Sequence, residues 1–216
     1  MKIYAGYGTP PQLKGLVRDL RAVWALEEIG ADYEIHWLNL IEGEQRTDAA
    51  RKIHPFGKVP AMVDGDLTLF ESGAICQYIA NKHGALGGPA TSPQWPEVTQ
   101  WCFAALDTVA PRLFDHFIWQ NFRTDNPICA EVSKDAKEVA QLRFDVLEGV
   151  LESKDFLVGD EFTIADILMA SAIRNAMFPD IIGDHPNIRR YLDSIFARPA
   201  FQRAFELNIK GPAEAA

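Results

Sequence analysis

The stretch His54–Ala80, HPFGKVPAMVDGDLTLFESGAICQYIA, contains the signals that decide the fold of this chain. Pro60 has no N–H, so it fits at the first residue of a strand or at a special turn, and a bond between Val and Pro is a realistic candidate for the cis form. The sequence DGD at 64–66 predicts a hairpin turn between two short apolar strands. Glu71 and Ser72 then open a helical pattern directly after the second strand. The stretch therefore predicts a tight turn, a hairpin and a helix in close succession.

The same segment predicts a binding site. A turn at Pro60 would leave the main-chain N–H and C=O of Val59 free to receive another extended backbone. Free N–H groups at the helix start, assisted by the Ser72 hydroxyl, would bind a carboxylate. Glu71 beside them could pair with an ammonium group. A ligand with an extended backbone and an amino-acid head group fits all three features, and glutathione is such a ligand.

The motifs FGKVPA, the Asp-Gly hairpin and LFES, followed in order by an apolar helix, resemble the glutathione-binding half of the cytosolic glutathione transferase family. The chain resembles a bacterial-type member that lacks the usual Ser or Cys of the first helix. The resemblance implies an α/β thioredoxin-like N-terminal domain and an all-α C-terminal domain. It also implies glutathione as co-substrate and a homodimer.

Composition restricts the other partners. The 216 residues carry a net charge of −9 with a pI of about 5.0, which argues against nucleic acid as the main partner. We expect no signal peptide, because the N-terminal sequence MKIYAGYG is typical of a strand and not of a long apolar run. We expect no membrane partner, because no stretch approaches the roughly 18 to 20 apolar residues of a membrane span. Three scattered cysteines suit a reducing cytoplasm and offer neither a disulfide framework nor a metal site.

The pattern along the chain predicts two domains joined by a linker. Residues 1–83 form the thioredoxin-like glutathione-binding domain, residues 84–94, rich in Gly, Pro and Ser, form the linker, and residues 95–216 form an all-helical domain. In the first domain, strands are expected at 2–6 and 32–39, with a long helix between them and a short polar helix at 46–53. The long helix would bury a stripe made of Leu13, Val17, Leu20 and Trp24. In the second domain, helices are expected near 95–120, 130–152, 163–177, 187–197 and 199–208.

One motif of the second domain is predicted to act in folding. Thr163 caps a helix, and Asp166 three residues later can reach back to the N–H of the cap, a carboxylate version of the capping box. Phe162 and Ile167 stand at the positions of the hydrophobic staple. The family shares this motif in its sixth helix.

The resemblance implies the residues that hold glutathione. Val59, after which Pro60 makes the turn, should pair with the cysteinyl backbone, and Glu71 with Ser72 should hold the γ-glutamyl end. Lys58, Gln45 and Arg46 match positions that often meet the glycyl carboxylate. Arg46 could form a bidentate pair there.

The residue that activates the thiol is less evident. A thiol with a pKa near 8.5 needs a hydroxyl donor, a cation or a helix N-terminus to become a thiolate at neutral pH. In the family, a Tyr, Ser or Cys after the first strand points at the sulfur, but this chain carries Val17, Arg18 and Asp19 where many members have the Ser or Cys. The candidates for catalysis are Tyr7, Thr9 and Arg18. Arg18 is expected on one helical stripe with Lys14 and Arg21.

A pocket for the second substrate is expected between the loop after the first strand and the first long helix of the second domain. Phe114 and Phe117 of that helix are predicted to line it, and His116 is predicted to be a surface residue. Cys76 lies on an apolar helical pattern and is predicted to be part of the core.

Several functions fit these observations. The first is a glutathione transferase that conjugates glutathione to small hydrophobic electrophiles, and the second is a glutathione-dependent disulfide or peroxide reductase. The third is a non-catalytic glutathione-binding protein, which the absence of a serine at Val17 would favour. A dicarboxylate isomerase would require a Ser-Ser-Cys-like helix start that the chain lacks. The sequence does not distinguish detoxification from a catabolic step.

Overall fold

A computed structural model of the protein describes residues 1–10, 13–174 and 181–212. The chain divides into two compact units. The first unit comprises residues 1–90 together with the C-terminal segment that begins at Ala197, and the second comprises residues 91–196. The division at residue 90 falls within the predicted linker.

The first unit begins with a βαβ arrangement, which is followed by a short helix, a β-hairpin and a further helix. Its elements in chain order are β1 (Lys2–Tyr7), α1 (Asp19–Ile29), β2 (Glu34–Asn39), a 3₁₀ turn (Glu44–Arg46), α2 (Asp48–Ile53), β3 (Ala61–Asp64), β4 (Leu67–Phe70) and α3 (Ser72–His83). The strands form one sheet in the order β2-β1-β3-β4, in which β1 pairs with β2 in parallel and β3 is antiparallel to both β1 and β4. This small mixed sheet with its helices confirms the predicted thioredoxin-like domain.

The core of the first unit lies between the sheet and helices α1 and α3. Alternate residues of β1 are buried there, as expected for a strand with one face toward a core. The fully buried side chains include Ile3, Trp24, Leu26, Met62, Ile75 and Ile79. Cys76 is completely buried among them, which confirms its prediction as a core residue.

Helix α1 is shorter than predicted. It starts at Asp19, so Leu13 and Val17 lie before it and do not continue the stripe of Leu20 and Trp24. The reason is Gly15, whose φ of 72° belongs to the left-handed region and is incompatible with a right-handed helix. Residues 13–16 form a turn instead, in which the Leu16 N–H donates to the Leu13 carbonyl.

In its described part, the second unit consists of helices joined by turns and loops, without a strand. Its elements are α4 (Trp95–Phe103), a π-helical segment (Ala104–Val109), α5 (Ala110–Phe122), α6 (Cys129–Val150), α7 (Ile164–Arg174) and α8 (Pro186–Phe196). The prediction of an all-helical domain is confirmed, although the predicted helix at 163–177 extends at 175–177 beyond the described residues. No helix in the described ranges is both long and apolar enough to cross a membrane.

The last helix, α9 (Pro199–Lys210), packs on α1 in the first unit. The Arg198 guanidinium forms two hydrogen bonds of 2.7 Å with the Glu28 carboxylate, and the rings of Trp24 and Phe201 meet edge to face at 4.8 Å. A bidentate pair and an aromatic contact are strong side-chain interactions. The compact units therefore differ from the predicted boundaries, which place residues 95–216 together.

The capping motif of α7 has the predicted geometry. Asp166 accepts hydrogen bonds from the Thr163 N–H at 2.8 Å and from the Leu157 N–H at 2.9 Å, and the hydroxyl of Tyr191 donates to it at 3.0 Å. The Thr163 hydroxyl oxygen accepts from the Ala165 N–H. One buried carboxylate thus joins the loop before α7, the start of α7 and α8.

Candidate functional site

The start of α3 is the centre of the candidate site. Glu71 immediately precedes the helix with φ 70° and ψ 120°, a backbone conformation that side-chain-bearing residues rarely adopt. Its side chain is exposed, whereas Ser72, the first helical residue, is only 3% exposed. The first N–H groups of a helix have no acceptor within that helix, so this end presents donors to an anion. The predicted helix start at Ser72 is confirmed.

A buried arginine lies against this helix start. Nη1 of Arg21, on α1, donates a hydrogen bond of 3.1 Å to Oγ of Ser72. Burial lowers the pKa of Arg21 to about 10, the nearby Arg18 charge acts in the same direction, and Cys76 and Glu71 oppose them. The group is still protonated at neutral pH. A fixed positive charge therefore stands beside the N-terminus of α3, where it adds to the attraction for a carboxylate.

The turn before β3 has the conformation expected from the sequence. The Val59–Pro60 peptide bond is cis, and β3 begins only at Ala61, which pairs with Tyr4 of β1. Val59 lies outside this ladder and is half-buried. Among the described residues, none forms a main-chain hydrogen bond with Val59. Its main-chain groups can receive an extended ligand.

The segments that carry Gln45, Arg46 and Lys58 lie side by side. A Cβ atom placed on Gly57 would lie 3.1 Å from the carbonyl oxygen of Gln45 and 3.5 Å from Cα of Arg46. The Gln45 side chain is buried, and its Oε1 has no hydrogen-bond partner among the described residues. Arg46 and Lys58 are exposed. The structure thus brings together the three polar residues that were predicted separately from two parts of the chain.

His54 is a residue of this region that the sequence analysis did not identify. Burial lowers the pKa of His54, the Glu71 carboxylate opposes this effect, and the Lys58 ammonium adds to it. His54 is therefore within electrostatic reach of both Glu71 and Lys58. The centre of its ring lies 5.0 Å from that of Phe70, the last residue before Glu71, with the two ring planes tilted by 37°. This packing supports the strand end from which Glu71 projects.

The three candidates for thiol activation occupy different positions. Arg18 is exposed and directly precedes α1, where its charge acts on Arg21. Tyr7 ends β1 and Thr9 lies in the following loop, both half-buried. In the described part of the chain, no hydrogen bond joins the side chains of Tyr7 or Thr9 to Glu71 or Ser72. Arg18 is thus the candidate that an interaction links to the Ser72 end of the site.

The expected stripe of Lys14, Arg18 and Arg21 is wrong. Lys14 and Arg18 precede the helix, because α1 begins only at Asp19. Arg21 is buried and does not lie on a solvated face. A hydrophobicity pattern does not identify a buried arginine, because in sequence it looks the same as a charged residue on the surface.

A second buried polar group, Asp19, was also missed. Its side chain accepts a hydrogen bond of 2.6 Å from the Gly6 N–H and another of 2.5 Å from Nδ2 of Asn208. Burial raises the pKa of Asp19 to about 7, despite the opposing effect of these donors. The partner in α9 is remote in sequence, so no local pattern could have indicated it.

The residues predicted around the second-substrate pocket differ in exposure. Phe114 is 39% exposed and Phe117 is 3% exposed. His116 is 4% exposed, so its prediction as a surface residue is wrong. Its Nδ1 lies 2.9 Å from both the carbonyl oxygen and Oγ of Ser133, because α5 packs against α6 along this face.

Comparison with known proteins gives consistent results. Residues 14–81 match the family model for the glutathione S-transferase N-terminal domain, and residues 117–199 match that for the C-terminal domain. The chain is 34% identical over 196 residues to glutathione S-transferase 3 of Zea mays, covering 85% of this chain and 86% of the relative. It is 32% identical over 202 residues to a glutathione S-transferase of Hyoscyamus muticus, covering 87% of this chain and 92% of the relative.

A solved structure shows the same similarity. A glutathione transferase from Burkholderia graminis, with two glutathione molecules bound per subunit, superimposes with a TM-score of 0.85 at 26% identity. The superposition covers 97% of this chain and 89% of that one.

Proposed function

Because this chain belongs to the glutathione S-transferase family, we propose that it activates glutathione as a thiolate and transfers it to small hydrophobic electrophiles. The observation that carries this proposal is the start of α3, where Glu71 and Ser72 stand beside the buried Arg21. Similar proteins of solved structure contain bound glutathione. The co-substrate proposed for this chain is therefore glutathione.

The γ-glutamyl end is proposed to bind at α3. Its carboxylate would accept from the helix N–H groups and the Ser72 hydroxyl, and its ammonium group would face the exposed Glu71 carboxylate. Arg21 keeps the Ser72 hydroxyl in place by donating to its oxygen, which leaves the hydroxyl hydrogen available for the ligand.

The rest of the tripeptide is proposed to follow the turn. Its cysteinyl backbone would pair with the main chain of Val59, in the manner of a short added strand after the cis Pro60. The glycyl carboxylate would reach the neighbouring polar groups of Gln45, Arg46 and Lys58. Oε1 of Gln45, which has no hydrogen-bond partner in the described part of the chain, would accept from the N–H of the glycyl residue.

Thiol activation requires a group that stabilises negative charge on sulfur. We assign this role to the set Tyr7, Thr9 and Arg18, of which a hydroxyl donates to the sulfur directly and Arg18 contributes a positive charge. Cys76 is not a competing nucleophile, because burial raises the pKa of its thiol to about 12. Bringing the thiolate and the electrophile together then supplies the remaining acceleration. We further propose that the protein acts in the cytoplasm as a homodimer, in detoxification.

The test is an ultraviolet titration of bound glutathione, which follows thiolate absorbance against pH in the wild type and in Tyr7→Phe, Thr9→Ala and Arg18→Ala. We expect a thiol pKa below that of free glutathione, which one substitution returns toward the free value. Tight binding with an unshifted pKa would contradict the transferase and favour a glutathione-binding protein. Turnover of disulfides or peroxides in place of electrophiles would favour a reductase.

A further inference from the structure

Asp19 joins three parts of the first unit that are distant in sequence. It is the first residue of α1 and its side chain is 1% exposed. One carboxylate oxygen accepts from the Gly6 N–H of β1, and the other accepts from the side-chain amide of Asn208 on α9. A buried carboxylate costs free energy unless such donors compensate it, so a carboxylate kept at this position indicates a specific structural requirement.

The bond to Gly6 replaces a missing strand partner. Pairing of β1 with β3 stops at Tyr4 and Ala61, because the chain turns away at the cis Pro60. The Tyr7 carbonyl accepts from the Leu40 N–H on the β2 side. Successive residues of a strand direct their main-chain groups to opposite edges. The Gly6 N–H therefore points to the β3 side of β1, at a position beyond the last pair between these two strands. Asp19 satisfies this N–H and fixes the last residues of β1.

The bond to Asn208 connects the same strand end to α9. Gly211, which follows α9 with φ 65°, packs on Tyr7 so closely that a Cβ atom there would lie 3.2 Å from the Cβ atom of Tyr7. The strand end is therefore held from two sides, by Asp19 through the main chain and by the end of α9 through the Tyr7 side chain.

The orientation of the Asn208 amide supports a specific role for this link. Its Nδ2 donates to Asp19, while its Oδ1 is buried and has no hydrogen-bond partner within residues 1–10, 13–174 and 181–212. Leaving a buried acceptor unpaired is unfavourable. The Asn208 amide therefore stabilises the Asp19 carboxylate although its own Oδ1 stays unsatisfied.

We propose that Asp19 is a positioning residue of the glutathione site, which couples α9 to Gly6 and thereby holds the Tyr7 side chain in place for contact with the glutathione sulfur. This role rests on the proposed function, and within its set of thiol-activating candidates it selects Tyr7 as the hydroxyl that contacts the sulfur. It makes turnover depend on Asn208, a residue of the C-terminal helix whose side-chain amide donates to Asp19.

The test measures the pKa of the bound thiol, the dissociation constant of glutathione and kcat in the wild type, Asn208→Ala, Asp19→Asn and Asp19→Ala. We expect Asn208→Ala and Asp19→Ala to raise the thiol pKa and to lower kcat about tenfold or more, with the dissociation constant changed by less than about threefold. Asp19→Asn keeps an oxygen for the Gly6 N–H and should fall between them and the wild type. In a Tyr7→Phe background, Asn208→Ala should have no further effect on kcat, because coupled residues are not additive.

Matched controls distinguish positioning from a general loss of stability. Asp166→Asn alters another buried carboxylate, and Asn121→Ala removes another side-chain amide, which donates to the Phe117 carbonyl at 2.9 Å. Both should lower stability and leave the thiol pKa unchanged. If the Asp19 and Asn208 variants behave like these controls, the positioning role is wrong. If the wild-type thiol is itself unshifted, the proposed function fails and the role of Asp19 falls with it.

Discussion

Arg21 and Ser72 are joined by a buried hydrogen bond of 3.1 Å across 51 residues of sequence. The bond connects α1 to the first residue of α3, and the sulfur of Cys76 one turn later in α3 donates to the Arg21 carbonyl at 3.5 Å. The two helices are thus linked through both the side chain and the main chain of Arg21. This arrangement places a positive charge beside the helix end to which the γ-glutamyl carboxylate is proposed to bind.

Arg21→Met should weaken glutathione binding at least about tenfold, because a buried charge and a hydrogen bond to Ser72 are lost together. Isothermal titration calorimetry at neutral pH measures this change. Arg190→Met is the control, since Arg190 pairs with Asp155 at 2.6 Å in the second unit and should leave affinity unchanged. An affinity within twofold of wild type in a folded Arg21→Met would remove Arg21 from glutathione recognition.

Replacing Glu71 by Ala and by Gly should separate its ligand contact from its backbone strain. Both changes remove the carboxylate, so both should weaken glutathione binding to a similar degree. Gly adopts φ 70° without a steric penalty, whereas Ala keeps the strain, so Glu71→Gly should be more stable than Glu71→Ala by about 1 kcal/mol. Urea unfolding compares the two variants. Equal stabilities would show that the backbone at Glu71 is not strained.

Ser72→Ala is a second test of the site at the start of α3. It removes the hydroxyl oxygen that accepts the hydrogen bond from Arg21 Nη1, and with it the link between α1 and the start of α3. We expect weaker glutathione binding together with a loss of stability of about 1 to 3 kcal/mol. Glutathione affinities that stay at the wild-type value in both Glu71→Ala and Ser72→Ala would overturn the assignment of the site to α3.

Local signals were sufficient to predict the region from Val59 to Ser72. A proline after Val59, a Gly in the hairpin and Ser72 at the helix start each act within a few residues, and the structure has the cis bond, the hairpin and the helix at these positions. The capping motif at Thr163 and Asp166 was predictable for the same reason. Such short-range preferences are readable in sequence because their partners are neighbours.

Long-range contacts account for what the sequence did not predict. The sequence predicts that α1 begins as early as Leu13, because the apolar spacing continues there. The left-handed backbone conformation of Gly15, which interrupts the helix, depends on the surrounding turn. Arg21 and Asp19 are buried, and their hydrogen-bond partners Ser72 and Asn208 come from segments that are distant in sequence. A charged residue with a remote partner is indistinguishable from a surface charge until the tertiary contact is known.

Asp166→Ala should destabilise the second unit strongly while leaving glutathione binding intact. The change leaves the Thr163 N–H, the Leu157 N–H and the Tyr191 hydroxyl without their shared acceptor. Each unmet buried donor costs about 1 to 3 kcal/mol, so we expect a loss of several kcal/mol in urea unfolding. Asp184→Ala is the control in the same unit. A loss below about 1 kcal/mol would show that this motif is not important for folding.

Asp19 should give the protein a specific dependence of stability on pH. Burial raises the pKa of its carboxyl from 3.8 to about 7 in the folded state. Between these values the folded protein holds a proton that the unfolded chain has released, so stability decreases as pH rises. The contribution is fully present below pH 3.8, is lost progressively up to about pH 7, and amounts in total to on the order of 4 kcal/mol.

Asp19→Asn should remove this dependence, because the amide stays neutral at every pH and its oxygen can still accept from the Gly6 N–H. The stability difference between the variant and the wild type should therefore shift in favour of the variant as pH rises from 5 to 8. Urea unfolding across this range measures it, with Asp32→Asn at an exposed position as the matched control. A difference that does not change with pH would mean that Asp19 stays ionised throughout, and that the donors from Gly6 and Asn208 outweigh its burial.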